Sequence, residues 1–135
     1  MGRSAQTSDR HGANGLKDVS RAVAHLYLQL YGRGPRCTHA SLGRDSLTVI
    51  LEDVYSTEER ALIRNGRFDL VEEMRHACAA EGERMLRETV EEITGRRVRA
   101  VLTQVSEDPE IAVEVFVFAP PDAVEPTEAT EPAAP

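Results

Sequence analysis

The sequence predicts an α+β domain, in which a four-stranded antiparallel sheet packs against helices in the order α-β-β-α-α-β-β. Three observations carry this reading. Apolar residues recur at helical spacing over 16–31. Two pairs of β-rich segments each flank a short turn-forming stretch, one pair near residue 45 and one near residue 108. Between the pairs lies a helix-start signal followed by a long helical pattern. Hairpins separated by helices favour strands gathered in one antiparallel sheet with the helices segregated to a face.

Each element follows from its residues. Leu16, Val19, Val23, Leu26, Tyr27 and Leu30 form one stripe of an amphipathic helix over 16–31. Arg36 to Leu42 is a short strand, Gly43-Arg44-Asp45 is its turn, and Leu47 to Val54 (LTVILEDV) is a β-branched strand. Ser56 and Glu59 have the spacing of a capping box, in which each side chain satisfies a backbone N–H at the other residue, so a short helix runs from Thr57 to Asn65. Gly66 interrupts it. A second, longer helix is expected from Arg67 to Thr94, with Leu70, Val71, Met74, Cys78, Met85, Leu86, Val90 and Ile93 as its apolar line. Gly95 ends that helix, where a left-handed residue is needed. Val98 to Val105 and Ile111 to Phe118 are two strands joined by Ser-Glu-Asp-Pro-Glu, a turn-rich link.

Alternation in the last strand has a further consequence. Ile111, Val113, Val115 and Val117 share one face, while Ala112, Glu114, Phe116 and Phe118 share the other. A sheet covered on one side only is polar on its open side. This one is apolar on both, so something is expected to cover the second face, and a second copy of the chain, giving a homodimer, is the simplest cover.

The chain of 135 residues divides into three segments. Residues 1–15 are small and polar, and 119–135 hold five of the seven prolines with four carboxylates and no basic residue. Both are expected to be disordered tails, because neither has the apolar surface to offset the entropy of ordering its backbone. Residues 16–118 are left for a single domain. The formal charge is −7, and removing Asp122, Glu125, Glu128 and Glu131 leaves −3 spread over a mixed surface. A nucleic-acid binder would show a one-sided basic footprint, which argues against such a partner.

No apolar run approaches the roughly 18 residues of a membrane span, so direct membrane insertion is not expected. The N-terminus lacks the apolar core of a secretory signal, and Gln6 stands where a myristoylation signal needs Ser or Thr. A cytoplasmic protein is the expectation. Cys37 and Cys78, isolated from each other, read as free thiols in a reducing compartment.

Little in the sequence resembles catalytic or cofactor chemistry. Cys37 and His39 are two apart and would share a strand face, but zinc takes four convergent ligands, or three and a water, and no partner pair is visible along the chain. No metal site and no cofactor are therefore expected. Glu73-Met74-Arg75-His76 matches one half of a di-iron carboxylate element, which such sites use twice. Glu72, Glu73 and His76 read instead as the solvated face of the long helix. The glutamate pairs at 58–59, 72–73 and 91–92 are helical neighbours pointing about 100° apart, not preformed dyads. With no convergent acid, base or nucleophile, the expectation is that the protein is not an enzyme.

One stretch keeps a binding reading open, Tyr31-Gly32-Arg33-Gly34-Pro35-Arg36. Gly32 suits a left-handed helix cap and Pro35 blocks further helix, which accounts for both residues without any ligand. Capping does not account for Arg33 and Arg36, whose forked N–H donors could hold a carboxylate, phosphate or bicarbonate.

The same stretch opens a series of segments found in family order. The helix ending Tyr-Gly-Arg-Gly-Pro, then LTVILEDVYSTEERAL, then GR..LV..MR, EEITGRRV and DPEIAVEVFVF resemble the bacterial MpsC family over 16–118. The resemblance implies a non-enzymatic cytoplasmic accessory or regulator of a membrane-potential-generating, cation-translocating system that is also linked to inorganic-carbon uptake. The implied partner is a membrane transport complex, met from its cytoplasmic side. The motif positions that the resemblance singles out are Tyr31, Gly32, Arg33, Gly34 and Pro35, together with Arg67 and Asp108. Cys37 stands where the family pattern leads one to expect a small hydroxyl residue, so the resemblance implies no role for that thiol. The alternative expectation is a small anion- or ligand-binding sensor whose site is the 32–36 loop.

Overall fold

The computed structural model describes residues 15–121. The two expected tails lie almost wholly outside the described residues. Helix α1 spans Gly15–Tyr31 and buries Val19, Val23, Leu26 and Tyr27, the stripe expected from its periodicity. It stops because Gly32 turns left-handed at φ +76°, with its N–H donating to Leu28 O at 2.9 Å. Pro35 then carries the chain into strand β1, Cys37–Leu42, which pairs antiparallel with β2, Ser46–Glu52.

Strand β2 ends two residues earlier than its apolar pattern suggests. Asp53 adopts φ +61°, which breaks the pleat and turns Val54 and Tyr55 into the core as fully buried side chains. Helix α2, Thr57–Arg64, begins on the expected capping box, with Glu59 N–H donating to Ser56 Oγ at 3.1 Å and Ser56 N–H donating to Glu59 Oε1 at 2.8 Å. Gly66, at φ +74°, separates it from the next helix.

The single long helix expected over 67–94 is two helices. Helix α3 is Phe68–Ala77 and α4 is Ala79–Thr94, with Cys78 between them at φ −87°, ψ −6°. The apolar line also needs correction at its first half. Met74 is 42% exposed, whereas Arg75, one residue on, is 5% exposed and faces the core with Val71. Hydrophobicity ranks Met above Arg, but an arginine that finds a carboxylate and aromatic faces can be buried where a methionine would only be packed. Gly82 on α4 lies close to α1, where an added Cβ would meet Leu30 Cδ1 at 3.2 Å. Gly95, left-handed at φ +71°, closes α4 as expected.

Strands β3, Val98–Ser106, and β4, Ile111–Phe118, complete one antiparallel sheet in the order β1-β2-β4-β3. The last hairpin thus inserts β4 at the centre beside β2, and the first hairpin's β1 and the last hairpin's β3 become the edges. The helices cover one face, α1 lying against α4 and β1, and α4 against β3. The core-facing side of β4 is the one holding Ala112, Glu114, Phe116 and Phe118, all buried.

The cap at Gly32 is a backbone requirement with open space around it, since nothing lies within 4 Å of an added Cβ. Gly32→Ala is therefore expected to lower the unfolding free energy by about 1 kcal/mol through left-handed strain alone. Urea denaturation of the variant measures this, and an unchanged midpoint would show that the cap tolerates a side chain.

Candidate functional site

The Gly32–Arg36 loop runs beside the end of β2, and its two arginines reach carboxylates there. Arg33 Nη2 lies 3.1 Å from Asp53 Oδ2, and Arg33 Nε donates to Asp53 O at 3.3 Å. Arg36 sits 3.7 Å from Asp53 Oδ2 and 3.5 Å from Glu52 Oε1, while its backbone N–H donates to Glu52 O at 2.9 Å. A third arginine, Arg60 of α2, pairs with Asp53 Oδ1 and donates two hydrogen bonds to Glu110 Oε1 at 3.1 and 2.9 Å. Asp53 N–H closes the group by donating to Glu110 O at 2.9 Å. The arginines that capping left unexplained are thus the clamp on a left-handed aspartate, tying the loop, the end of β2, α2 and the β3–β4 turn together.

The other positions that the family pattern singled out do not join that clamp. Arg67 pairs with Asp69 at 3.1 Å on the surface at the start of α3. Asp108 is exposed in the β3–β4 turn, where its peptide bond to Pro109 is cis. Tyr31 belongs to a different group altogether.

That group is built around Arg75. Its guanidinium lies 4.0 Å from the centre of the Tyr31 ring, 5.1 Å from Tyr55 and 5.9 Å from Tyr27. Cation–π attraction of this kind strengthens as water is excluded. Two N–H groups form a fork on Glu59, both at 2.8 Å, and Nη2 also donates to Val54 O at 3.0 Å. Tyr55 OH donates to Ser106 O at 2.6 Å, which joins the aromatic cage to the edge strand. Beside it, Glu114 accepts from Tyr27 OH and from Thr103 Oγ1, each at 2.6 Å.

Charge in this cluster is strongly conditioned by burial. Desolvation, opposed by the hydrogen bonds from Thr103 and Tyr27 and by the Arg75 charge, leaves the Glu114 carboxyl above its ordinary range. Desolvation would also raise Glu59, but the hydrogen bonds from Arg75 and Ser56 outweigh it and hold that carboxyl low. Burial pushes Tyr55 up to about 12 and raises Tyr27 and Tyr31 as well, so all three phenols stay protonated near neutrality. The two buried carboxylates are therefore held in opposite senses, one stabilised as an anion and one resisting ionisation.

One polar atom in the cage has no protein partner. Arg75 Nη1 is buried without an acceptor, and Arg75 lines a cavity of about 60 Å³ together with Glu72, His76, Thr103, Gln104 and Val105. Sequence reasoning missed this cluster because Arg75 and Glu59 each sit among charged helix neighbours and look like ordinary surface residues. The one available signal was Glu114, a single carboxylate on the apolar stripe of β4.

Comparison with known sequences bears on the whole domain. The chain matches, over residues 15–120, the family described as the Na+-translocating membrane potential-generating system (MpsC). The chain belongs to the MpsC family. No curated protein and no solved structure matches it. The MpsC match spans every element from α1 to β4, so both the arginine clamp and the tyrosine cage lie inside the family domain. Among the described residues, no helix is long and apolar enough to cross a membrane.

The Arg75–Glu59 pair has a testable energetic signature. Removing either partner alone strands a buried charge, so Arg75→Met and Glu59→Leu are each expected to lose about 3–5 kcal/mol. The double variant is expected to lose much less than the sum, leaving mainly the capping-box loss of about 1 kcal/mol. Chemical denaturation of the three variants gives the coupling energy, and strict additivity would show that the pair does not act as a unit.

Glu114 predicts a pH effect of opposite sign to Glu59. A carboxyl whose folded pKa is raised weakens the fold as pH climbs from the ordinary glutamate range through the raised value. Glu59, held low, contributes stability that is present above its unfolded pKa and lost as pH falls through its lowered folded pKa. Glu114→Gln is expected to gain stability relative to the parent as pH rises through the Glu114 window. Unfolding free energies measured at acid and neutral pH should show that gap widening; a gap that stays constant would place the proton elsewhere.

Proposed function

We propose that this domain is a non-enzymatic cytoplasmic accessory of a Na+-translocating, membrane-potential-generating complex, including one that serves inorganic-carbon uptake, and that it works as a homodimer. Membership of the MpsC family carries the link to the membrane system. The reading of the domain as a docking partner is supported by the polar groups of its interior, most of which are engaged with one another: Arg75 with Glu59, and Glu114 with Tyr27 and Thr103. Groups committed in this way build a rigid scaffold rather than a reaction centre.

The dimer reading rests on the sheet face away from the helices. Cross-strand register brings Ile50 beside Val113, and Thr48 and Leu102 to either side of Val115. Leu102 is 58% exposed there, and Ile50 is also exposed. An apolar sheet face of this kind is a usual place for burial between subunits. A second copy supplies an equally apolar face, and a two-fold axis makes the contact self-complementary.

The alternative, a small-anion or ligand sensor, is favoured by one observation, the unpartnered Nη1 of Arg75, a residue that also lines a cavity, and on this reading the ligand site is at the tyrosine cage and not the 32–36 loop. A single set of measurements separates the readings. The full chain is expected to show twice its monomer mass by light scattering and to co-purify with a membrane fraction containing the partner. An Ile50→Lys/Leu102→Glu variant is expected to be a folded monomer. A parent that is monomeric at all concentrations and unretained by membranes, yet melts several degrees higher with a small oxyanion, would favour the sensor instead.

A further inference from the structure

The β1–β2 hairpin assembles a group that spacing along the chain does not reveal. Cys37 pairs directly with Glu52 across the two strands, and His39 lies two residues along β1 on the same face. One ligand atom from each, the Cys37 sulfur, an imidazole nitrogen of His39 and a Glu52 carboxylate oxygen, all lie within 4.8 Å of one another. His39 Nε2 is 3.6 Å from Glu52 Oε2. Around a tetrahedral zinc, with bonds of roughly 2.0–2.3 Å, neighbouring ligand atoms stand about 3.3–3.8 Å apart. The group therefore needs a contraction of at most about 1.5 Å, within the reach of side-chain rotation.

The chemistry of the set is selective. Calcium and magnesium take all-oxygen shells, so a thiolate and an imidazole point away from them. Sulfur, nitrogen and oxygen together suit zinc and its neighbours in the first transition row. A thiolate and a carboxylate also balance the charge of a divalent ion, leaving a neutral site. Both strands belong to one hydrogen-bonded ladder, extended by Arg36 N–H to Glu52 O at 2.9 Å, so the three residues are held by backbone rather than by a loop. Arg36 lies against two of the ligands, 3.9 Å from the Cys37 sulfur and 3.5 Å from Glu52 Oε1. Its side chain is 64% exposed, and an exposed pair of this kind is held weakly, so an incoming cation displaces it readily.

We propose that Cys37, His39 and Glu52 form a three-ligand site for a thiophilic divalent transition metal, zinc foremost, with water completing the tetrahedron. The site lies on the sheet face opposite the helices, beside the proposed dimer patch, since His39 pairs with Ile50; its three ligands come from one chain, so it does not need the second copy. On binding, the proton of the Cys37 thiol and any proton on His39 pass to solvent, and the metal gains one sulfur, one nitrogen and one oxygen ligand without change of oxidation state.

Cobalt(II) is a suitable probe because a thiolate bound to it gives a near-ultraviolet charge-transfer band. Titration of the reduced, metal-free full chain with Co2+ is expected to produce that band with one equivalent, together with the intense visible bands of tetrahedral cobalt, and added Zn2+ should bleach both. Cys37→Ser is expected to abolish the charge-transfer band while Cys78→Ser leaves it intact. His39→Ala and Glu52→Gln should each weaken Co2+ binding at least about tenfold, since even outer-shell partners commonly contribute that much. Circular dichroism confirms that each variant is folded before it is titrated. Absence of the band in the parent, its survival in Cys37→Ser, or equal affinity in the His39 and Glu52 variants would each overturn the assignment.

Discussion

The buried ion pair between Arg75 and Glu59 is the constraint on which the rest of this domain depends. A guanidinium cannot leave water without a partner, and here it finds a forked carboxylate, a carbonyl and three aromatic rings. Those partners come from separate parts of the chain: Tyr27 and Tyr31 from α1, Val54 and Tyr55 from the link after β2, Glu59 from α2. Satisfying one arginine therefore fixes α3 against α1, α2 and the end of β2 at once. A purely apolar contact would accept small slides; a bidentate pair with ring faces around it accepts very few.

The arginine clamp on Asp53 extends the same logic towards the surface. Asp53 takes a left-handed conformation that a non-glycine residue adopts at some expense, and it sits where Arg33, Arg36 and Arg60 converge. Its turn is what sends Val54 and Tyr55 inward, so the clamp outside and the cage inside are consecutive along the chain. The glycine–arginine loop is thus part of the framework that aims the tyrosines. Its arginines are partly exposed and hold the loop without being sealed by it.

Pairing in a sheet brings together residues that no periodicity along the chain associates. Glu52 meets Cys37 because β1 folds back on β2, and Glu114 meets Thr103 because β3 folds back on β4. The same pairing leaves Ile50, Leu102 and the valines of β4 on one broad apolar surface. Among the described residues the helices cover the other face alone, so this apolar surface stays open to its surroundings.

Local patterns were sufficient for most of the elements, the long helix excepted. The stripe of α1, the Ser56–Glu59 box, the glycines at 32, 66 and 95 and the alternation of β4 are short-range signals, and each element they specify is present within a residue or two of its expected limits. The family, too, was legible in the order of its segments. What only the tertiary structure decided was the fate of charge. Met74 is exposed where the apolar line placed it inside, its neighbour Arg75 is buried instead, and the long helix divides at Cys78. The strand order β1-β2-β4-β3, with the last strand in the middle, was likewise undetermined by the chain. The physical reason is the same in each case. Apolar burial is nearly additive and can be read from neighbours along the chain, whereas a buried charge is stable only beside partners whose positions the fold itself creates.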